Sequence, residues 1–342
     1  MIRSASLSAV VVLGLSSFFP SANQAGTWVQ TTGVPPSVNV FSTVTCTSNT
    51  FCLATDDWLN SAAGKVPAQG LFGEVWRGHQ WEQTNSVPLN VPGVADVALL
   101  GCLNPKDCVA LASSSYASRW NGSKWSSFEQ IDGAFMAQID ALSCNAHFCL
   151  AIDTMSGSGL VYNGSSWSQP AVVDPTLARH RGTTVAISCP AAATKCVLLD
   201  NLGTTEVIGL DGVSRRAPLV GMSHGGWGGT FSCGSLSSCI AGGYSATGSG
   251  YWLWNGKKWS EARSETAGSL LGVGPALVSC PSASFCGSFT IPGPWSIYNG
   301  RAWEMGGTSS PLGGLNARAL SCPTPSFCMA VTSGDTAWEW KR

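Results

Sequence analysis

Charge is scarce in this chain: Asp, Glu, Lys and Arg make up 11% of its 342 residues, with 18 basic residues against 19 acidic ones. No basic run breaks that balance, so no field draws nucleic acid or anionic lipid, and no nucleic-acid partner is expected. Long apolar runs are also missing. Beyond the N-terminus no segment approaches the roughly 18 uninterrupted apolar residues of a membrane-spanning helix. Histidine is rare, and His79, His147, His180 and His224 stand far apart without ligand spacing. No metal centre and no cofactor are therefore expected.

Apolar residues nevertheless reach 44%, enough for a sizeable core, and 40 Gly and 15 Trp accompany 14 Cys. Such a profile suits short strands and tight turns. The N-terminus runs from Met1-Ile2-Arg3 through the apolar stretch Ala9 to Leu15 and Phe18-Phe19 to small residues at Ala22 and Ala25. This reads as a secretory signal peptide over residues 1–25, cleaved after Ala22 or Ala25, with 26–342 as one mature domain. The first cysteine after it is Cys46, so a lipid-modified N-terminus is not indicated. Export to an extracellular location permits disulfides.

The cysteines fall into seven close pairs with none left over: Cys46 and Cys52, Cys102 and Cys108, Cys144 and Cys149, Cys189 and Cys196, Cys233 and Cys239, Cys280 and Cys286, Cys322 and Cys328. Their first members recur every 42 to 56 residues, the period of a repeat architecture. Structural zinc sites favour tighter spacing and paired ligand sets, so disulfides are expected. Two residues before each first cysteine stand Val44, Leu100, Leu142, Ile187, Phe231, Val278 and Leu320; one before stand Thr45, Gly101, Ser143, Ser188, Ser232, Ser279 and Ser321. A large residue alternating with a small one predicts a strand, its small side fitting the crowded centre of a ring. Apolar runs such as Cys149-Leu-Ala-Ile152 supply a second strand, so each cysteine pair clasps one hairpin.

Farther on, a strand runs into Trp120-Asn121-Gly122, Tyr162-Asn163-Gly164, Leu210-Asp211-Gly212, Trp254-Asn255-Gly256 and Tyr298-Asn299-Gly300. Asn-Gly and Asp-Gly predict two-residue hairpin turns, outweighing the glycosylation pattern at Asn121 and Asn163. Three residues past most of these glycines comes Trp125, Trp167, Trp259 or Trp303, and Trp81 follows the variant Trp76-Arg77-Gly78. Across such a hairpin the two aromatics are expected as diagonal neighbours packing between units. The fourth unit carries Arg215 instead, which makes its outer strand the least secure.

Four antiparallel strands in each of seven units predict an all-β, seven-bladed β-propeller with one disulfide within each blade. The last unit stops at Lys341-Arg342 one strand short, while Gly26-Thr27-Trp28-Val29-Gln30 resembles the missing strand. Ring closure by the N-terminal strand explains both features and removes open sheet edges.

The repeated Ser-Cys-Pro, as at Ser188-Cys189-Pro190, Ser279-Cys280-Pro281 and Ser321-Cys322-Pro323, followed by Phe-Cys and Trp-Asn-Gly-x-x-Trp, resembles a group of exported bacterial seven-bladed propellers. That group is similar to the Asp-box propellers, which include sialidases, and to photosystem-assembly propellers. The resemblance implies the fold and little about activity. A sialidase would need an arginine cluster, a Tyr and Glu pair and an acid catalyst. Arg119 and Arg301 adjoin the turns while Arg215 and Arg216 belong to an outer strand, so no convergent arginine set is visible, and Asn replaces Asp in most turns.

Function is then expected where the repeats disagree, on the rim opposite the cysteine loops. The candidates there are Asp56, Asp57 and Trp58 in the longest loop, Asp153, Asp200, and His224 with Trp227; Arg179-His180-Arg181 lies in the same class of segment. Flat indoles with a few hydrogen-bonding groups suit a glycan, peptide or cell-envelope component. A noncatalytic, monomeric binding or scaffold propeller is therefore the first expectation. A divergent sialidase-like glycosidase or lyase is the alternative, and it requires two of these carboxyl groups to converge.

Overall fold

The computed structural model describes residues 26–34, 40–57, 70–71, 73–88, 97–112, 115–131, 139, 141–153, 156–172, 184–200, 204–209, 212–218, 230–245, 248–260, 263, 277–290, 295–306, 312 and 316–342. Seven antiparallel sheets form a β-propeller. Their innermost strands are Val40–Ser48, Val97–Asn104, Ala141–Cys144, Thr184–Ser188, Phe231–Ser235, Leu277–Ser282 and Ala317–Thr324, defining blades one to seven. Each innermost strand packs against that of the next blade, and the last returns to the first.

Alternation within the second strands builds the core. In blade one, Leu53 faces blade two, where it packs with Cys108, Ala110, Trp120 and Trp125. Its neighbours Cys52 and Ala54 face the other way, against Phe327, Met329 and Val331 of blade seven. A second strand is thus covered on both faces, and Cys149–Asp153 is buried along its whole length. The core lies in the slots between blades, away from the axis.

All seven expected disulfides are present, each within one blade, with Cα separations of 3.9 to 4.1 Å. Cys46 stands directly opposite Cys52, and Cys102, Cys144 and Cys233 face Cys108, Cys149 and Cys239 in the same way. The N-terminal strand Thr27–Gln30 completes blade seven, with Trp28 opposite Trp340 and Gln30 opposite Trp338. Thr31 then ties this blade to the first: its hydroxyl donates to the Ala337 carbonyl at 2.8 Å and accepts the Trp81 indole N–H at 3.0 Å.

Three expectations need correction. The Asn-Gly segments are four-residue connections, because Trp120 pairs with Trp125, Tyr162 with Trp167 and Trp254 with Trp259 across them. Gly122 adopts a φ of 97° whereas Asn121 stays outside the positive-φ set. Asn121 instead folds its side chain inward, so that Oδ1 accepts the N–H groups of Ser123 and Lys124, both at 3.0 Å. The aromatics are therefore direct cross-strand partners, with ring centroids 5.5 Å apart at Trp120 and Trp125, rather than diagonal ones.

Blade four supplies the third correction. The second cysteine of a blade pairs with the aromatic in five blades and, across the closing sheet, with Trp340, but Cys196 pairs with Ile208. Ile208 in turn faces Val213, and Gly209 faces Gly212. Ile208 therefore stands in the register position of the aromatic, and the expected turn residues Leu210 and Asp211 lie outside the described residues. Its outer strand, Gly212–Pro218, is seven residues long and well paired. Among the described residues the sheet with three strands is that of blade five, where Trp259 and Arg263 contribute isolated bridges.

Candidate functional site

The turns place two kinds of surface at opposite ends of the blades. Gly122 abuts Lys106, Gly256 abuts Ser237 and Gly300 abuts Ser284, so the aromatic turns and the cysteine loops share one rim. Indole N–H groups fasten them together: Trp76 donates to Asn49 at 3.1 Å, Trp120 to Pro105 at 3.2 Å and Trp254 to Leu236 at 3.0 Å, each to a main-chain carbonyl.

On this disulfide rim, first cysteines from all seven blades line one cavity of about 270 Å³, which places it on the ring axis. Thr47, Asn145, Pro190, Pro281 and Pro323 join them, and no charged side chain is among the described lining residues. Asn145 is occupied by structure, its Oδ1 accepting the N–H groups of His147 and Phe148 and its Nδ2 donating to the Ala193 carbonyl.

A ring of hydrogen bonds surrounds this opening. The hydroxyl of Ser143 accepts the N–H of Cys189 in the next blade, Ser188 that of Cys233, Ser232 that of Cys280, Ser279 that of Cys322 and Ser321 that of Cys46, all at 2.9 to 3.0 Å. The sequence reads these serines as small; it does not show them as acceptors, because each partner belongs to another repeat. Gly101 occupies the same position in blade two, and a Cβ there would collide with Cys144 Sγ.

At the opposite ends of the second strands stand four of the residues chosen from sequence, Asp56, Asp57, Asp153 and Asp200. Asp56 and Asp57 end the strand Phe51–Asp57, opposite Phe41 and Val40. Their side chains lie outside the described residues, as do Trp58, Arg179, His180, Arg181, His224 and Trp227. Asp56, Asp153 and Asp200 each stand four residues after the second cysteine of their blade, so three blades repeat an acid at one register. That equivalence is visible in the sequence once the cysteines are aligned. Asp153 and Asp200 are 3% and 0% exposed. Asp153 closes a tight turn, its Oδ1 accepting the Ser156 N–H at 3.1 Å and its carbonyl that of Gly157 at 2.9 Å. Neither carboxyl is presented to solvent. Among the described residues no group of three or more His, Cys, Asp or Glu is placed to hold a metal ion.

Between blades two and three the disulfide rim holds a charged network that sequence reasoning passed over. Tyr162 donates to Asp107 Oδ1 at 2.8 Å, Arg119 Nε lies 3.4 Å from the same oxygen, and the guanidinium sits 5.2 Å above the Tyr162 ring. Arg119 also donates to the carbonyls of Gly164 and Ser165. Burial, and then the hydrogen bond to Asp107, push the Tyr162 phenol above the ordinary tyrosine value.

No family model and no curated protein matches the sequence. Solved structures do match in fold. The structure described as "YCF48 bound to D1 peptide" has a TM-score of 0.63 at 10% identity, covering 93% of this chain and 97% of that one. U3-55K matches at 0.63 and 11% identity, over 92% of this chain and 98% of that one. The Pan2 WD40 domain of Neurospora crassa matches at 0.64 and 8% identity, over 93% and 96%. At these identities the likeness speaks for the fold alone.

Proposed function

We propose that this protein is a secreted, noncatalytic binding propeller whose ligand rests on the rim opposite the disulfides. Seven disulfides with no free cysteine support an oxidising destination. The N-terminal residues 1–25 act as the export signal, cleaved after Ala22 or Ala25, and residues 26–342 form one domain that works as a monomer in an exported bacterial family similar to the Asp-box propellers.

The observation that carries the function is the contrast between the rims. Among the described residues the disulfide rim is neutral at its axis and closed by inter-blade hydrogen bonds, whereas the second strands end at the other rim before segments that differ in length and sequence from blade to blade. Rigid frames with varied loops at one end are built for recognition. Asp56, Asp57, Trp58, His224 and Trp227 form the contact set for a glycan, a peptide or an envelope component; Asp153 and Asp200, buried at strand ends, hold the loops that present it. A peptide ligand has a parallel in the fold neighbour described with a bound peptide. A glycosidase or lyase would need opposed, solvent-reachable carboxyls, which Asp153 and Asp200 do not supply.

An immobilised array of glycans, peptides and envelope fractions tests this. Binding is expected, and Trp58→Ala and Trp227→Ala are expected to weaken it about tenfold or more each, the loss of an aromatic anchor. A blank array, or binding indifferent to both substitutions and to Asp56→Ala, overturns the proposal.

A further inference from the structure

The repeats also disagree at one corner of the disulfide rim. Three positions recur there in blades one, two, five and six: the residue packed on the turn glycine, the residue before the strand aromatic and the residue before the turn tryptophan. They are Thr50, Val75 and Gln80 in blade one, Ser237, Leu253 and Lys258 in blade five, and Ser284, Ile297 and Ala302 in blade six. In blade two they are Lys106, Arg119 and Lys124, a cation at every one.

These three cations line a cavity of about 360 Å³ together with Trp120, Trp125, Asn121 and Ser126. Arg119 is held in place by Asp107, by the Gly164 and Ser165 carbonyls and by the Tyr162 ring, so it needs no ordering when a ligand arrives. Lys106 and Lys124 form no ion pair with a described carboxylate. Arg77 brings a fourth cation from blade one, donating to the Gly122 carbonyl at 3.3 Å while Glu82 lies 3.6 Å from it. Among the described residues, four cations against two carboxylates leave two positive charges uncompensated at one turn, on a chain whose formal net charge is −1. A concave site concentrates the field of such charges.

We propose that this corner of blade two is an oxyanion-binding pocket, which takes the carboxylate, sulfate or phosphate group of a sugar-sized ligand. Its volume falls near the lower end of small-molecule sites, roughly 300 to 1,000 Å³. Lys106 and Lys124 supply movable ammonium donors, Arg119 supplies fixed charge, and Trp120 and Trp125 add apolar lining beside them. The site is separate from the opposite rim, so it stands or falls independently of the ligand proposed there.

Calorimetric titration of the mature protein at low ionic strength with sodium D-glucuronate, inorganic phosphate and inorganic sulfate, with D-glucose as the neutral control, tests the pocket. At least one oxyanion is expected to bind where glucose does not, and which one binds tells a carboxylate source from a phosphate or sulfate source. The double substitution Lys106→Gln with Lys124→Gln, at exposed positions that leave the fold intact, is expected to weaken binding by about tenfold or more. A control pair from the blade-five turn, Lys257→Gln with Lys258→Gln, is expected to change nothing. Oxyanions that bind no better than glucose, or that bind the Lys106/Lys124 double variant as well as the parent, overturn the proposal.

Discussion

A serine placed just before a cysteine does two jobs in this ring. Its small size lets neighbouring innermost strands approach, and its hydroxyl then accepts the main-chain N–H of the following blade's first cysteine. Replacing Ser188 by Ala keeps the first job and abolishes the second, leaving the Cys233 N–H without its partner at 3.0 Å. Chemical denaturation is expected to show a loss of about 1–2 kcal/mol, the range for a stranded donor away from water. Thr45→Ala, at a joint where no such bond is seen, is expected to cost less. The Ser-Cys repetition was legible in the sequence, but its purpose was not: donor and acceptor lie 43 to 48 residues apart in four of the bonds and 275 apart in the fifth, across blade boundaries that only the fold brings together. The turn asparagines failed differently. Asn-Gly has two ways to make a turn, by its own positive φ or by side-chain capping, and composition does not choose between them.

At the level of whole strands, the closing strand shows how much a missing piece can reveal. A seventh unit one strand short and a spare N-terminal Trp strand were both readable, and they pair as expected. The aromatic nest they create was not readable. Trp28 meets Trp295 edge-on at 5.0 Å and Phe289 at 5.2 Å, and Trp295 continues the contact to Trp340 at 5.8 Å. Trp28→Ala is expected to cost about 2–4 kcal/mol, since it removes an aromatic anchor from a partly buried site. Hydrogen exchange is expected to speed up first in the strand Ala337–Lys341, whose amides the closing strand covers. Equal protection of that strand in parent and variant would mean that the closing strand is ornamental. Blade four misled sequence reasoning because Asp-Gly at Asp211-Gly212 imitated the turn of the other units, while its strand register shifted the pair to Ile208 and Val213. The candidate site was legible only as positions: the shared register of Asp56, Asp153 and Asp200 follows from counting, but the burial of the last two depends on their neighbours.

For the molecule as a whole, the scarcity of charge and the abundance of sulfur bridges belong to one design. Three ion pairs among the described residues, all on the surface, contribute little, because exposed pairs are screened by water and salt. Covalent clasps carry the burden instead. Each closes a loop between cysteines five to seven residues apart, for which chain entropy gives about 2 kcal/mol. Seven of them together approach the whole stability of an ordinary domain, about 5–15 kcal/mol. Removing one pair, as in Cys280→Ala with Cys286→Ala, is expected to lower stability by about 2 kcal/mol and leave the ring intact. Reduction of all seven is expected to unfold the chain at ambient temperature, visible as loss of near-ultraviolet circular dichroism from its 15 tryptophans. Raising salt to 1 M is expected to move the unfolding midpoint little. A fully reduced protein that keeps its tryptophan signal would show that packing between the blades holds the ring alone, and that the bridges serve resistance to proteolysis rather than folding stability.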